Sequence, residues 1–113
     1  MELFELTTSE DFAFVRARGE IDVSNVGAFS TALLSAENSP GVKTLVIDLT
    51  DVGFLDSSGA TSLIRSQKRL AAKDRRAVLV CPKQNAEVRR VLLLMGLDEA
   101  MPLYESSDEA QAL

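Results

Sequence analysis

The residues with the most chemistry in this chain stand together at Asp56-Ser57-Ser58-Gly59, directly after the apolar Phe54-Leu55. An acid, two hydroxyls and a glycine in that order suit the start of a helix. There the first backbone N–H groups lack partners and roughly half a positive charge collects, so Asp56 as a cap stabilises by about 1 kcal/mol. Gly59 strains a reading that stops at the cap. In the first turn of a helix glycine forfeits about 1 kcal/mol relative to alanine, which makes sense where something approaches the backbone closely. The second reading is a switch. A phosphate on Ser57 would lie where helix N–H groups and the dipole tolerate it, and would add about two negative charges to the surface. The four residues alone leave both readings open.

Gly19-Glu20-Ile21-Asp22 is the second constellation. It reads as a strand end followed by a helix start. If that strand neighbours the one before Asp56, then Asp22 and Ser57 emerge at the same sheet edge, the side where open α/β sheets bind ligands and partners. The third is Arg65 to Arg76, RSQKRLAAKDRR, which holds six of the twelve basic residues. A solvated helix face is the plain expectation for it, and a docking face for an acidic partner is the rival. Glu87, Arg89 and Arg90 require no function. Cys81, at a buried strand end, reads as a small core residue and not as a nucleophile.

Enzyme chemistry has little to work with here. The chain has no histidine, which removes the commonest general base and metal ligand. One cysteine with carboxylates makes an unusual zinc site, and no G-x-x-x-x-G-K-[ST] loop for phosphates occurs. No catalytic residue, metal or cofactor is therefore expected. A net charge of −5 argues against nucleic acid and anionic membranes as partners. The lone cysteine allows no internal disulfide and suits the cytoplasm. The opening MELFELTTSED lacks the basic flank and apolar core of a secretory signal.

Elements must position these residues, and the chain supplies them in alternation. Strands are expected over Leu3 to Thr8 and Phe12 to Arg18, around a turn at Ser9-Glu10-Asp11. A helix follows from about Ser24 to Ala36, capped by Ser24 or Asn25, with Val26, Phe29, Leu33 and Leu34 on one face. The run Thr44 to Leu49 (TLVIDL) suits a buried central strand. A helix from about Ser57 to Lys73 would turn Ala60, Leu63, Ile64, Leu70 and Ala71 to the core. Arg76 to Cys81 is another buried strand. The next helix, about Asn85 to Met95, places Val88, Val91, Leu92 and Met95 inward and stops at Gly96. Leu103-Tyr104 forms a short last strand, and Asp108 to Leu113 a helical tail. The outcome is a single α/β domain over 1–113, with a mixed sheet of about four to five strands and helices packed against it.

With these pieces in order, the chain resembles the STAS domain, specifically the single-domain anti-sigma factor antagonists. The likeness rests on Gly19-Glu20-Ile21-Asp22, on LVIDLTDVGFLDSSG at Leu45 to Gly59, and on AEVRRVLLLMGLD at Ala86 to Asp98. It implies a cytoplasmic protein, monomeric or weakly dimeric, that binds an anti-sigma factor, often a serine kinase, and so frees a sigma factor. The kinase would phosphorylate Ser57, with Ser58 the second choice, and a PP2C-type phosphatase would reverse the reaction. Asp22, Asp56, Ser57, Ser58 and Gly59 would meet the partner, with Asp56 orienting the serine. Where the family often has Leu-Gly after this motif, Ala60-Thr61 stands here, which bears on helix packing or partner choice. A different role for the same fold is a STAS subunit of a transporter or larger signalling assembly. A nucleotide-hydrolysing enzyme is the least supported reading.

Overall fold

The computed structural model describes residues 3–112. Its strands are β1 (Phe4–Ser9), β2 (Phe12–Ile21), β3 (Thr44–Leu55), β4 (Arg76–Val80) and β5 (Leu103–Tyr104). Its helices are α1 (Val26–Glu37), α2 (Ser57–Ala71), α3 (Ala86–Leu94), α4 (Leu97–Ala100) and α5 (Ser107–Gln111). The strands lie in one sheet in chain order, β1-β2-β3-β4-β5. Only β1 runs antiparallel to its neighbour; β2 to β5 are parallel. Strands laid down in sequence by crossovers of one hand leave their connecting helices on one face. The core follows that rule. Ala13, Val15 and Ala17 of β2 and Leu45, Ile47 and Leu49 of β3 meet Phe29 and Leu33 of α1, Leu63 and Leu70 of α2, and Val88 and Leu92 of α3. On the other face α5 lays Ala110 over Val46, Val78 and Val80, with Phe12, Phe14 and Tyr104 at the margin.

The α/β class and the mixed five-stranded sheet agree with the expectation, and several boundaries move. The central strand runs six residues beyond Leu49, and β2 runs past Arg18 to Ile21. Their ladder continues through two register shifts, between Arg16 and Arg18 and between Gly19 and Glu20, and ends at Ile21 opposite Leu55. Thr50-Asp51 and Gly53 interrupt the apolar run, which hides this continuation, while Val52 and Leu55 still turn inward. Asp48 is the last β3 residue paired with β4. Beyond it the Asn85 side chain donates to the carbonyls of Leu49 (3.2 Å) and Val52 (2.7 Å), replacing the lost neighbour.

Three residues assigned to the core lie at the surface: Leu34, Met95 and Ala71. Each sits at the rim of its helix's apolar stripe, where no neighbouring element covers it. In their place the α1–α2 contact buries polar groups. Glu37, only 2% exposed, accepts from Ser66 Oγ at 2.6 Å and from Arg69 Nε and Nη2 at 2.7 and 2.8 Å. Arg75 Nη1 donates to the Glu37 carbonyl at 2.7 Å. The bidentate hydrogen bonds to the Glu37 carboxylate push the Arg69 guanidinium pKa above its ordinary value. The C-terminal tail is helical over Ser107–Gln111 and ends at Ala112; of its expected length only Leu113 lies outside the described residues, as do the first two residues of the chain.

Candidate functional site

β2 and β3 are parallel neighbours whose ends coincide, so the loops that follow them lie side by side. Asp56 N–H closes the pair by donating to the Ile21 carbonyl at 3.2 Å. Asp22 and Ser57 thus share the C-terminal edge of the sheet.

Asp56 caps α2. Its Oδ1 accepts from the N–H groups of Ser58 (2.9 Å) and Gly59 (3.1 Å) and from the Ser58 hydroxyl (2.6 Å). The Ser58 hydroxyl contributes most to holding the Asp56 carboxyl below its ordinary 3.8; partial burial opposes the shift, and the N–H groups of Gly59, Ser58 and Val23 add to it. The aspartate therefore orients Ser58, not Ser57. It also occupies two of the N–H groups that would otherwise receive a phosphate. The two serines differ in consequence. Ser58 is half-buried and engaged, whereas Ser57 is exposed, and no hydrogen bond among the described residues holds its hydroxyl. The carbonyl of Ser57 accepts from Thr61 Oγ1 at 2.8 Å, one turn along α2.

Gly59 has an explanation inside the fold. A Cβ there would lie 2.4 Å from Leu55 Cδ1 and 3.0 Å from Ile21 Cγ2. The close approach that the sequence suggests is made by the sheet's own side chains, which lets the first turn of α2 settle onto the strand ends.

The neighbouring loop is held as firmly. Asp22 Oδ1 accepts from Ser24 N–H (2.9 Å) and from the Ser24 hydroxyl. The Asp22 carbonyl accepts from the N–H groups of Asn25 and Val26 at 3.1 and 2.9 Å. Asn25 does not cap α1 with its side chain. It turns back instead, donating to the Glu20 carbonyl at 2.7 Å and accepting from Asp22 N–H at 3.0 Å. Two aspartates thus each brace a loop at the same edge.

Sequence reading missed the apolar residues beside these polar ones. Val23 is 79% exposed and Phe54 45%. A groove of about 220 Å³ lined by Phe54, Leu55, Glu87, Arg90, Val91 and Leu94 opens beside the start of α2. The break in alternation at Gly53-Phe54-Leu55 is the signal that could have found Phe54. The basic run, by contrast, divides. Arg69 and Arg75 grip Glu37, and Lys73 Nζ donates to Asn38 Oδ1 at 3.2 Å, so half of its cations join α1 to α2. Arg65, Lys68 and Arg76 remain exposed. Among the described residues no cluster of side chains suits a metal ion, and no helix is long and apolar enough to cross a membrane. Cys81 is buried, and burial pushes its thiol up to about 11.

This arrangement has relatives. The anti-sigma-B factor antagonist of Staphylococcus aureus is 24% identical over 92% of this chain and 94% of its own length. Among solved structures, an anti-sigma factor antagonist from Mycobacterium paratuberculosis is 30% identical over 95% of this chain and 88% of that one, with a TM-score of 0.85. The Bacillus cell fate determinant SpoIIAA, in its phosphorylated form, is 25% identical over 95% of each chain, with a TM-score of 0.70. The STAS domain model itself matches residues 4–110, so the chain belongs to the STAS domain family.

Proposed function

We propose that this protein is an anti-sigma factor antagonist: it binds an anti-sigma factor serine kinase through the edge formed by the Asp22 and Asp56 loops, and phosphorylation of Ser57 switches that binding off. The observation that carries the reading is the contrast between two adjacent hydroxyls. Ser58 is spent on the Asp56 cap, while Ser57 is exposed and uncommitted at the first turn of α2. The relatives named anti-sigma factor antagonists support the partner class, and a similar chain solved in a phosphorylated form supports the modification.

The chemistry of the switch follows from its position. Asp56 already occupies the N–H groups of Ser58 and Gly59, so a phosphate on Ser57 gains little from the helix and faces outward beside a carboxylate. The fold stays as it is, and the edge acquires about two negative charges. A partner surface fitted to the neutral hydroxyl, Val23 and Phe54 then meets charge in a contact that excludes water. A loss of about 2.7 kcal/mol weakens such binding about a hundredfold. A PP2C-type phosphatase restores the neutral state.

The test is to incubate wild type, Ser57→Ala, Ser58→Ala and Ser57→Asp with ATP and lysate of the source organism, then read intact masses and captured proteins together. One phosphate on wild type and Ser58→Ala but none on Ser57→Ala is expected. A serine kinase should be retained by wild type and Ser57→Ala and lost, about a hundredfold weaker, with Ser57→Asp. Phosphate on Ser57→Ala, or equal retention by Ser57→Asp, would overturn the reading. Co-purification with an ATP-driven transporter in place of a kinase would move the protein to a transporter assembly.

A further inference from the structure

The outward side of α3 carries more exposed apolar surface than a nine-residue helix needs: Leu94 is 75% exposed, Leu93 49% and the following Met95 36%. Arg90 and Leu94 form a crest between two grooves. One faces Phe54 and Leu55 beside the switch. The other, of about 500 Å³, faces away from it and is lined by Lys83, Ala86, Arg89, Arg90, Leu93 and Leu94. Its floor is aliphatic and its rim holds three cations. Arg89 is bonded to the Cys81 carbonyl at 2.6 Å and to Glu105 Oε2 at 3.0 Å. Among the described residues neither Lys83 nor Arg90 has a salt-bridge partner. Glu105 has both oxygens engaged, the second by the Lys83 N–H at 3.0 Å, and the one acid on α3, Glu87, lines the opposite groove. On a chain of net charge −5 this is a local reversal of sign around an unpartnered apolar floor.

We propose that this flank of α3 is a second docking surface, for an acidic amphipathic segment of a partner protein whose apolar side chains cover Leu93 and Leu94 while its carboxylates meet Lys83 and Arg90. Sign selects the occupant. A second copy of the chain pairing α3 with α3 about a twofold axis would set Lys83 and Arg90 against themselves. An anionic bilayer is a flat surface that would meet the acidic remainder of the molecule as well as this concave site. A helix or strand with apolar anchors and acidic flanks matches both floor and rim, and charge complementarity of this kind also speeds encounter. The site is independent of Ser57, because the crest divides it from the groove beside the switch.

The probe is a fluorescent synthetic amphipathic peptide of about 15 residues, with leucines on one face and glutamates on the other, alongside its lysine-for-glutamate counterpart. Binding is read by anisotropy, and the contacted residues by amide chemical shifts of the labelled protein. The glutamate peptide should bind and the lysine peptide should not. Shifts should map to Ala86, Leu93 and Leu94. Arg90→Glu and Leu94→Ser, both at exposed positions that the fold does not need, should each weaken binding about tenfold or more, and Ser57→Asp should leave it unchanged. Raising the salt from 0.05 to about 0.5 M should weaken binding as well, since the rim charges are solvent-exposed. Binding of both peptides or of neither, shifts confined to the Phe54 side, self-association abolished by Leu94→Ser, or flotation of the protein with phosphatidylglycerol vesicles would each overturn the proposal.

Discussion

Asp56 gathers three donors onto a single carboxylate oxygen, and that economy governs its two neighbours. Asp56→Ala should cost about 1 kcal/mol and lower Tm by about 4 °C. The cap requires the charged carboxylate, and the folded state holds the Asp56 carboxyl below its ordinary 3.8. Its contribution is therefore complete above that value and is lost as pH falls through the depressed one. Urea unfolding of wild type and Asp56→Ala should differ at pH 7 and converge as pH falls below 3.8; a gap that stays constant would refute the charged cap. Gly59→Ala tests packing at the same turn. Adding a methyl against buried Leu55 and Ile21 costs about 1–3 kcal/mol, and better helix propensity returns at most about 1. A net loss of about 1 kcal/mol is expected in the same unfolding measurement, and a stabilised variant would mean that Leu55 moves aside freely. The sequence made the cap legible because acid-hydroxyl-glycine is a local signal. It could not show which serine the acid engages, since that depends on side-chain directions at the helix start.

Helices α1 and α2 are joined at the end remote from Ser57. Glu37 is buried and gripped by Ser66 and by both arms of the Arg69 fork, while Arg75 holds its carbonyl. Removing one partner of such a pair leaves a poorly solvated charge. Arg69 is 38% exposed, which moderates the cost. Glu37→Leu should therefore lose about 2–3 kcal/mol, and Glu37→Leu with Arg69→Met should recover a large part of it. Chemical denaturation of the two single variants and the double variant gives the coupling, and additive losses would mean that the pair is not a unit. Part of the basic run was thus misjudged as solvated surface. Arg69 and Glu37 are 32 residues apart in the chain and meet only because α1 and α2 pack side by side. The long β3 was hidden for a related reason. Its second half is polar and glycine-broken, and its strand character comes from pairing with β2 through two register shifts, which no local pattern encodes. Helix and strand identities were legible because their periodicities are local.

At the scale of the molecule, both candidate surfaces stand on a sheet whose parallel core has its strands in chain order. The edge at Asp22 and Ser57, the α1–α2 clamp and the α3 groove lie on separate parts of that frame. Changes of surface charge at the edge should leave the frame alone. Ser57→Asp is expected to melt within a few degrees of wild type, because Ser57 is exposed and its hydroxyl is uncommitted. Calorimetry decides this, and a drop beyond about 8 °C would mean that the hydroxyl helps hold the fold. The family was legible from three motifs in order; the surface on α3 was not, since exposure of Leu93 and Leu94 follows from which side of the helix the sheet covers.

The buried Cys81 has a practical consequence. Burial pushes its thiol up to about 11, so little thiolate forms at pH 7, and the side chain is buried. The native chain should therefore react slowly with maleimide dyes without any replacement of its cysteine. A cysteine placed at exposed Val23 or Leu94 would take a single label at a known position. Each surface could then report any occupant in real time, one dye at the edge beside Ser57 and one on α3.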